Sequence, residues 1–171
     1  MNVVLIGYRG TGKSTIARLL AERLGLQVVS LDEEIQKRAG QTIPEIVKER
    51  GWPGFRDLEE EVVEAFSKRD GLVLDCGGGV IEREANFDRL RSAGPVFWLK
   101  ASVPTIVERI AGDDQRPSLT GTKSFTEEVA EVLQRREPLY GRLADHEIET
   151  DNRTPDQIAD EICRLLQAPG S

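Results

Sequence analysis

The sequence predicts an α/β domain built on a parallel sheet, and three observations carry that reading. Short apolar runs alternate with stretches in which apolar residues recur at helical spacing. The first run, Val3-Val4-Leu5-Ile6, is apolar at every position, as expected of a strand covered on both faces. A glycine-rich turn then joins that strand directly to the first helical stripe. Strands that alternate with helices favour parallel pairing, because a parallel neighbour is reached only through a crossover.

After the first strand comes a helix on Ile16, Leu19, Leu20 and Leu24, which Gly25 stops. Residues 27–30, 72–75 and 96–99 read as further strands, and 146–150 as a weaker one. Val103, Ile106, Val107 and Ile110 form another helical stripe, and Ile158, Ile162, Leu165 and Leu166 form the last. Thr154 begins that last helix as its N-cap, with Pro155 at the first position and Gln157 closing a capping box. Residues 33–69 hold helix-like pieces with no strand between them, broken at Gly40, Gly51, Pro53 and Gly54. Residues 112–124 are rich in Gly, Asp, Thr and Ser and read as a mobile loop. The terminal Ala-Pro-Gly-Ser reads as a frayed tail.

A length of 171 residues suits one domain, and 39% apolar with 31% charged residues is ordinary for a soluble protein. The 23 basic and 30 acidic residues leave a net charge of −7. General binding to nucleic acid or to an anionic membrane is therefore not expected, and any basic site must be a local cluster. No apolar run is long enough to span a membrane, and no basic residue precedes the first run as it would in a secretion signal. The two cysteines, Cys76 and Cys163, make no disulfide framework, and the single histidine, His146, makes no zinc site. The chain reads as cytoplasmic.

Gly7-Tyr8-Arg9-Gly10-Thr11-Gly12-Lys13-Ser14 fits G-x4-G-K-[ST] in the required place, between a strand and a helix. Its glycines let the backbone turn N–H groups toward phosphate oxygens, and the helix start adds a positive dipole end. Lys13 then reaches the β- and γ-phosphates, and the Ser14 hydroxyl is a ligand for Mg²⁺. This predicts ATP or GTP binding and leaves the acceptor open.

Other unusual residues fall at expected strand ends and loops. Gly77-Gly78-Gly79 follows the strand ending at Asp75, where α/β sheets place their ligands. Phe55-Arg56-Asp57 follows a Gly-Pro-Gly break, Arg116-Pro117-Ser118-Leu119 lies in the expected loop, and Arg136-Glu137-Pro138-Leu139-Tyr140 sits late in a long helix. Single arginines are usually solvated surface groups, so their arrangement carries the weight.

With these landmarks the sequence resembles shikimate kinase over nearly its whole length. The resemblance rests on the Gly-Lys-Ser loop, Asp32-Glu33-Glu34-Ile35, Arg-Ala-Gly at 38–40, Ile-Pro-Glu-Ile at 43–46, Phe55-Arg56, Gly77–Gly79, Arg116-Pro117, Arg136–Tyr140 and Ala144-Asp145. Thr120-Gly121 and the Trp-x-x-Phe-Arg spacing are similar to the second bacterial form. The resemblance implies a three-layer P-loop kinase fold, a five-stranded parallel sheet in the order 2-3-1-4-5 flanked by helices. It also implies one domain over 1–171, with a substrate-binding insert at about 33–61 and a lid at about 112–124.

The implied activity is ATP-dependent phosphorylation of the 3-hydroxyl of shikimate, giving shikimate 3-phosphate and ADP on the route to chorismate and the aromatic amino acids. The implied cofactors are ATP and Mg²⁺, and the implied assembly is a monomer. By the same resemblance Asp32, Lys13 and Arg116 are catalytic, and Asp32, Arg56, Gly77, Gly78, Gly79 and Arg136 hold shikimate. Gly10, Thr11, Gly12, Lys13, Ser14, Thr15 and Arg116 hold ATP, with Arg109 and Arg153 about the adenine. Planar guanidinium groups suit a carboxylate substrate.

One position departs from the family. An Asp-x-Asp pair is expected at the end of the second strand, and the sequence reads Ser30-Leu31-Asp32. Asp75, where the family usually has a small residue, is the candidate to replace the lost carboxylate beside Ser14 at the metal. Asp32 itself also stands where a helix N-cap would fall. Rival acceptors are gluconate, a nucleoside monophosphate and an aminated shikimate, and a non-enzymatic shikimate-binding regulator is the reading from another class.

Overall fold

The computed structural model describes residues 1–110 and 125–167. The expected lid at about 112–124, with Arg116, and the tail at 168–171 lie outside the described residues. Five parallel strands form one sheet: β1 (Val3–Ile6), β2 (Gln27–Ser30), β3 (Leu72–Asp75), β4 (Val96–Lys100) and β5 (His146–Glu149). Their spatial order is β2-β3-β1-β4-β5, as the resemblance implies. β1 and β3 are buried at every residue, as the apolar runs Val3–Ile6 and Leu72–Leu74 require, and β3 ends in the buried carboxylate of Asp75. Edge strand β2 is wetter, and Val28 there is exposed.

Alternation along the strands splits the core in two. Val3, Leu5, Val73, Phe97, Leu99 and Ile148 point to one face, against α1 (Lys13–Leu24) and α7 (Pro155–Gln167). Val4, Ile6, Leu74, Val96 and Trp98 point to the other. That face is covered by α3 (Ile43–Ser67), α4 (Ala85–Ala93), α5 (Val103–Ile110) and α6 (Phe125–Leu143). α2 (Leu31–Ala39) follows β2 without a break and packs on α3. Full burial of a large apolar side chain contributes roughly 1.5–3 kcal/mol, so these two layers fix the strand register.

Helix ends follow local chemistry. Gly25 and Gly40 end α1 and α2 in the left-handed conformation. Thr42 and Glu45 form a reciprocal capping box at α3. The box expected at Thr154 is present: Gln157 N donates to Thr154 Oγ1 at 3.1 Å and Thr154 N to Gln157 Oε1 at 2.9 Å. Helix α3 is broken at Gly51 (φ 71°, ψ 175°), one of the expected interruptions. The short helical turn Val80–Glu82 and helix α4 were not anticipated, because their apolar residues are too few to set a period. Among the described residues, no helix is long and apolar enough to cross a membrane.

Candidate active site

The Gly7–Ser14 loop wraps the start of α1 at the carboxyl end of β1, as its sequence demands. Gly10 shows why the position admits no side chain: its φ is +83°, and a Cβ would stand 2.7 Å from Ile110 Cγ2. Gly12 caps α1 with φ 86°. Lys13, nearly buried, donates from Nζ to the carbonyls of Gly7 at 2.6 Å and Tyr8 at 3.0 Å. A cleft of about 360 Å³ opens over the loop, lined by Gly10, Gly12, Lys13, Ser14 and Thr15 on the phosphate side. Arg109 lines it too and donates to the Gly10 carbonyl at 3.0 Å. Thr11 is buried beneath, its hydroxyl donating to the Tyr8 carbonyl at 2.9 Å. Arg153 lies apart from the cleft lining, tied to Glu161 at 2.6 Å and to the Glu149 carbonyl at 2.9 Å.

Ser14 Oγ donates to Asp75 Oδ2 at 3.0 Å across the cleft floor. Burial holds the Asp75 carboxyl above the usual carboxylate range, and nearby Asp32 and Glu33 add to the effect against the pull of Lys13 and Ser14. A hydroxyl and a carboxylate side by side are the hard oxygen donors that Mg²⁺ takes. No group of three or more His, Cys, Asp or Glu able to hold a metal occurs among the described residues.

Ser30 is the N-cap of α2, its hydroxyl accepting from Glu33 N at 3.3 Å. Asp32 is therefore not the cap that its position suggested. It lies in the first turn of α2, because the helix starts at Leu31, two residues earlier than a cap at 32 needs. Its carboxylate reaches the glycine run. A Cβ on Gly77 would lie 2.7 Å from Asp32 Oδ1 and 3.3 Å from Glu59 Oε2.

The same test explains all three glycines. On Gly78 a Cβ would lie 3.3 Å from Arg136 Nη1, and on Gly79 it would collide with the Arg56 guanidinium. None of the three is in the left-handed region, so the constraint is close approach: a side chain at Gly77 or Gly79 would displace Asp32 or Arg56, and one at Gly78 would crowd Arg136. Helices α2, α3 and α6 thus bring Asp32, Arg56 and Arg136 to one shelf beside the phosphate loop.

Both arginines are buried and held. Arg56 pairs with buried Glu59 at 3.0 Å and lies over the rings of Phe55 and Trp52, 5.1 and 5.3 Å from their centroids. Arg136 pairs through Nε with Glu82 at 3.4 Å and lies 5.6 Å from the Tyr8 ring centroid. Tyr140 donates its hydroxyl to the Gly78 carbonyl, and burial pushes its phenol up to about 12 although Arg136 pulls the other way. Cys76 is fully buried, and burial beside Asp75 pushes its thiol well above the ordinary value, so it is no reactive thiolate.

Glu59 and Glu82 were not singled out from sequence, and Tyr140 entered only as the end of the Arg136–Tyr140 landmark, with no role of its own. Glu59 had a signal, since an i,i+3 spacing from Arg56 places both on one helix face. Tyr140 stands four residues after Arg136, but Glu82 carried no local signal.

A phosphate cradle that opens directly onto an anion-binding shelf places the fold among the P-loop kinases of small molecules. Residues 9–167 match the model of the shikimate kinase family. The chain belongs to that family, and it is a kinase. It is 40% identical to the shikimate kinase of Persephonella marina over 94% of this chain and 96% of that one. It is 44% identical to that of Rhodopirellula baltica over 99% and 91%. Among solved structures, the shikimate kinase of Acinetobacter baumannii in complex with shikimate superposes with a TM-score of 0.92 at 35% identity, covering 96% of this chain and 92% of that one.

Proposed function

We propose that the protein transfers the γ-phosphoryl group of ATP to the 3-hydroxyl of shikimate, giving shikimate 3-phosphate and ADP. The observation that carries this reading is the convergence of Asp32, Arg56 and Arg136 on Gly77–Gly79, beside the phosphate loop. A ring acid with hydroxyl groups suits two buried guanidinium forks and one carboxylate. The Acinetobacter relative, solved with shikimate, supports the choice of acceptor.

In this reading Arg56 and Arg136 grip the shikimate carboxylate, Gly77, Gly78 and Gly79 form its floor, and Asp32 aligns the 3-hydroxyl. Asp32 accepts the hydroxyl proton as the new O–P bond forms and the bond from the γ-phosphorus to the β,γ-bridging oxygen breaks. Lys13 holds the β- and γ-phosphates, and the backbone of Gly10, Thr11, Gly12, Ser14 and Thr15 surrounds them. Arg109 and Arg153 flank the adenine, and Arg116 swings from the lid at about 112–124 over the phosphates. Ser14 and Asp75 hold Mg²⁺, which neutralises charge on the phosphates when bound. Residues 33–61 form the substrate-binding insert, and the enzyme works as a cytoplasmic monomer without nucleic acid or membrane.

A coupled assay of ADP release, run alone and with shikimate, gluconate, aminoshikimate or a nucleoside monophosphate, tests this. Release that depends on shikimate supports the proposal. Greater turnover with another acceptor, or ATP hydrolysis indifferent to all four, overturns it.

A further inference from the structure

Among the described residues, the cleft is lined by a cation that the mechanism above leaves without a task. Arg9 is the third residue of the phosphate loop and lines the same cleft as Asp32, Gly77 and Gly78. Its side chain is only half-buried, but Nη1 is shut off from solvent and has no hydrogen-bond partner among the described residues. Three other described arginines of the site are engaged: Arg56 on Glu59, Arg136 on Glu82 and Arg109 on the Gly10 carbonyl. A charged donor withdrawn from water without an acceptor is costly, and such a group calls for an explanation. An anionic ligand arriving in the cleft supplies one.

Position decides which anion. The backbone nitrogen of Arg9 lies 3.4 Å from where a Cβ on Gly78 would stand, so the residue touches the middle of the acceptor shelf. It also belongs to the loop whose N–H groups face phosphate. Arg9 therefore stands between donor and acceptor, whereas Arg56 approaches the shelf at Gly79 from α3 and Arg136 approaches Gly78 from α6.

We propose that Arg9 binds the phosphoryl group as it passes to the acceptor and then holds the phosphate ester of the product. The inference rests on the shikimate reading of the site. Charge on a transferring phosphoryl group is spread over three equatorial oxygens, and a planar guanidinium matches two of them at once. No proton or electron moves to Arg9, and bond making and breaking are as described above.

The test compares wild type, Arg9→Met and Arg9→Lys in steady-state turnover and in calorimetric binding of shikimate and of shikimate 3-phosphate. Arg9→Met is expected to lose about 10- to 150-fold in kcat and a similar factor in affinity for shikimate 3-phosphate. Its affinity for shikimate should stay within about threefold, and Arg9→Lys should recover part of the loss. Equal weakening of shikimate and shikimate 3-phosphate would assign Arg9 to the carboxylate and overturn the proposal. Unchanged kcat and product affinity would make it a surface group and overturn it too. Should Arg9→Met not fold, Arg9→Lys carries the same contrast between product and substrate binding. A wild type that does not phosphorylate shikimate removes the shikimate reading, and this inference with it.

Discussion

Ser30 and Asp75 are register partners at the carboxyl ends of adjacent strands β2 and β3. The family resemblance led to the expectation of aspartate at the first position and a small residue at the second. Against that expectation, the carboxylate of this chain stands on the neighbouring strand at the same end of the sheet. Each residue is used where it stands: Asp75 accepts from Ser14, and Ser30 caps α2.

That exchange makes a prediction about magnesium. Asp75→Asn should raise the Mg²⁺ concentration needed for half-maximal turnover and weaken Mg²⁺-dependent ADP binding in calorimetry. Adding Ser30→Asp should restore part of both, and aspartate caps a helix about as well as serine, so α2 keeps its start. Unchanged magnesium dependence in Asp75→Asn would leave Asp75 outside the metal site.

Without nucleotide, the same substitution has a predictable sign in stability. Folded Asp75 keeps its proton to a higher pH than the unfolded chain does, mainly because it is buried. The native state binds more protons across that window, so its stability falls as pH rises through it. Asparagine escapes this cost and can still accept from Ser14. The melting temperature of nucleotide-free Asp75→Asn should equal or exceed that of wild type at about pH 7, with the advantage shrinking toward about pH 4. A variant that gains relative to wild type on acidification would contradict the raised carboxyl.

The carboxylate clamp is tested by Arg56→Lys, which keeps charge but loses the planar fork over Trp52 and against Glu59. Charge-assisted hydrogen bonds contribute roughly 1.5–3 kcal/mol, so kcat/KM for shikimate should fall about 10- to 150-fold. ATP binding should change little. An equal loss of ATP affinity would remove Arg56 from the acceptor side.

Local chemistry was legible in the sequence and distant contact was not. The phosphate loop, the capping box at Thr154 and the buried strands each follow from a few neighbouring residues. Why Gly77, Gly78 and Gly79 lack side chains does not, since the groups pressing on them come from α2, α3 and α6. The positions of these glycines and of Asp32, Arg56 and Arg136 could be named from resemblance, but the contacts of Glu59 and Glu82 with the arginines and of Tyr140 with the shelf appear only in the folded chain. A two-residue shift in a helix boundary puts the cap at Ser30 and not at Asp32, and no periodicity resolves that.

The shift sharpens the prediction for Asp32. With Ser30 as cap, one structural role of Asp32 is to complement the dipole of α2, shared with Glu33 and Glu34 in the same turn. Such an interaction contributes about 0.3–1 kcal/mol, so Asp32→Asn should fold and melt within a few degrees of wild type. Its placement against Gly77 points to the acceptor hydroxyl. A hydroxyl is a weak nucleophile at neutral pH, and a carboxylate within reach aligns it and takes its proton as the bond to phosphorus forms. Asparagine keeps the shape and cannot take the proton. Loss of general-base assistance typically costs about 10²–10⁴ in rate, so shikimate-dependent kcat of Asp32→Asn should fall at least about 100-fold while ATP binding is kept. Turnover near that of wild type would leave Asp32 only its electrostatic place at the start of α2.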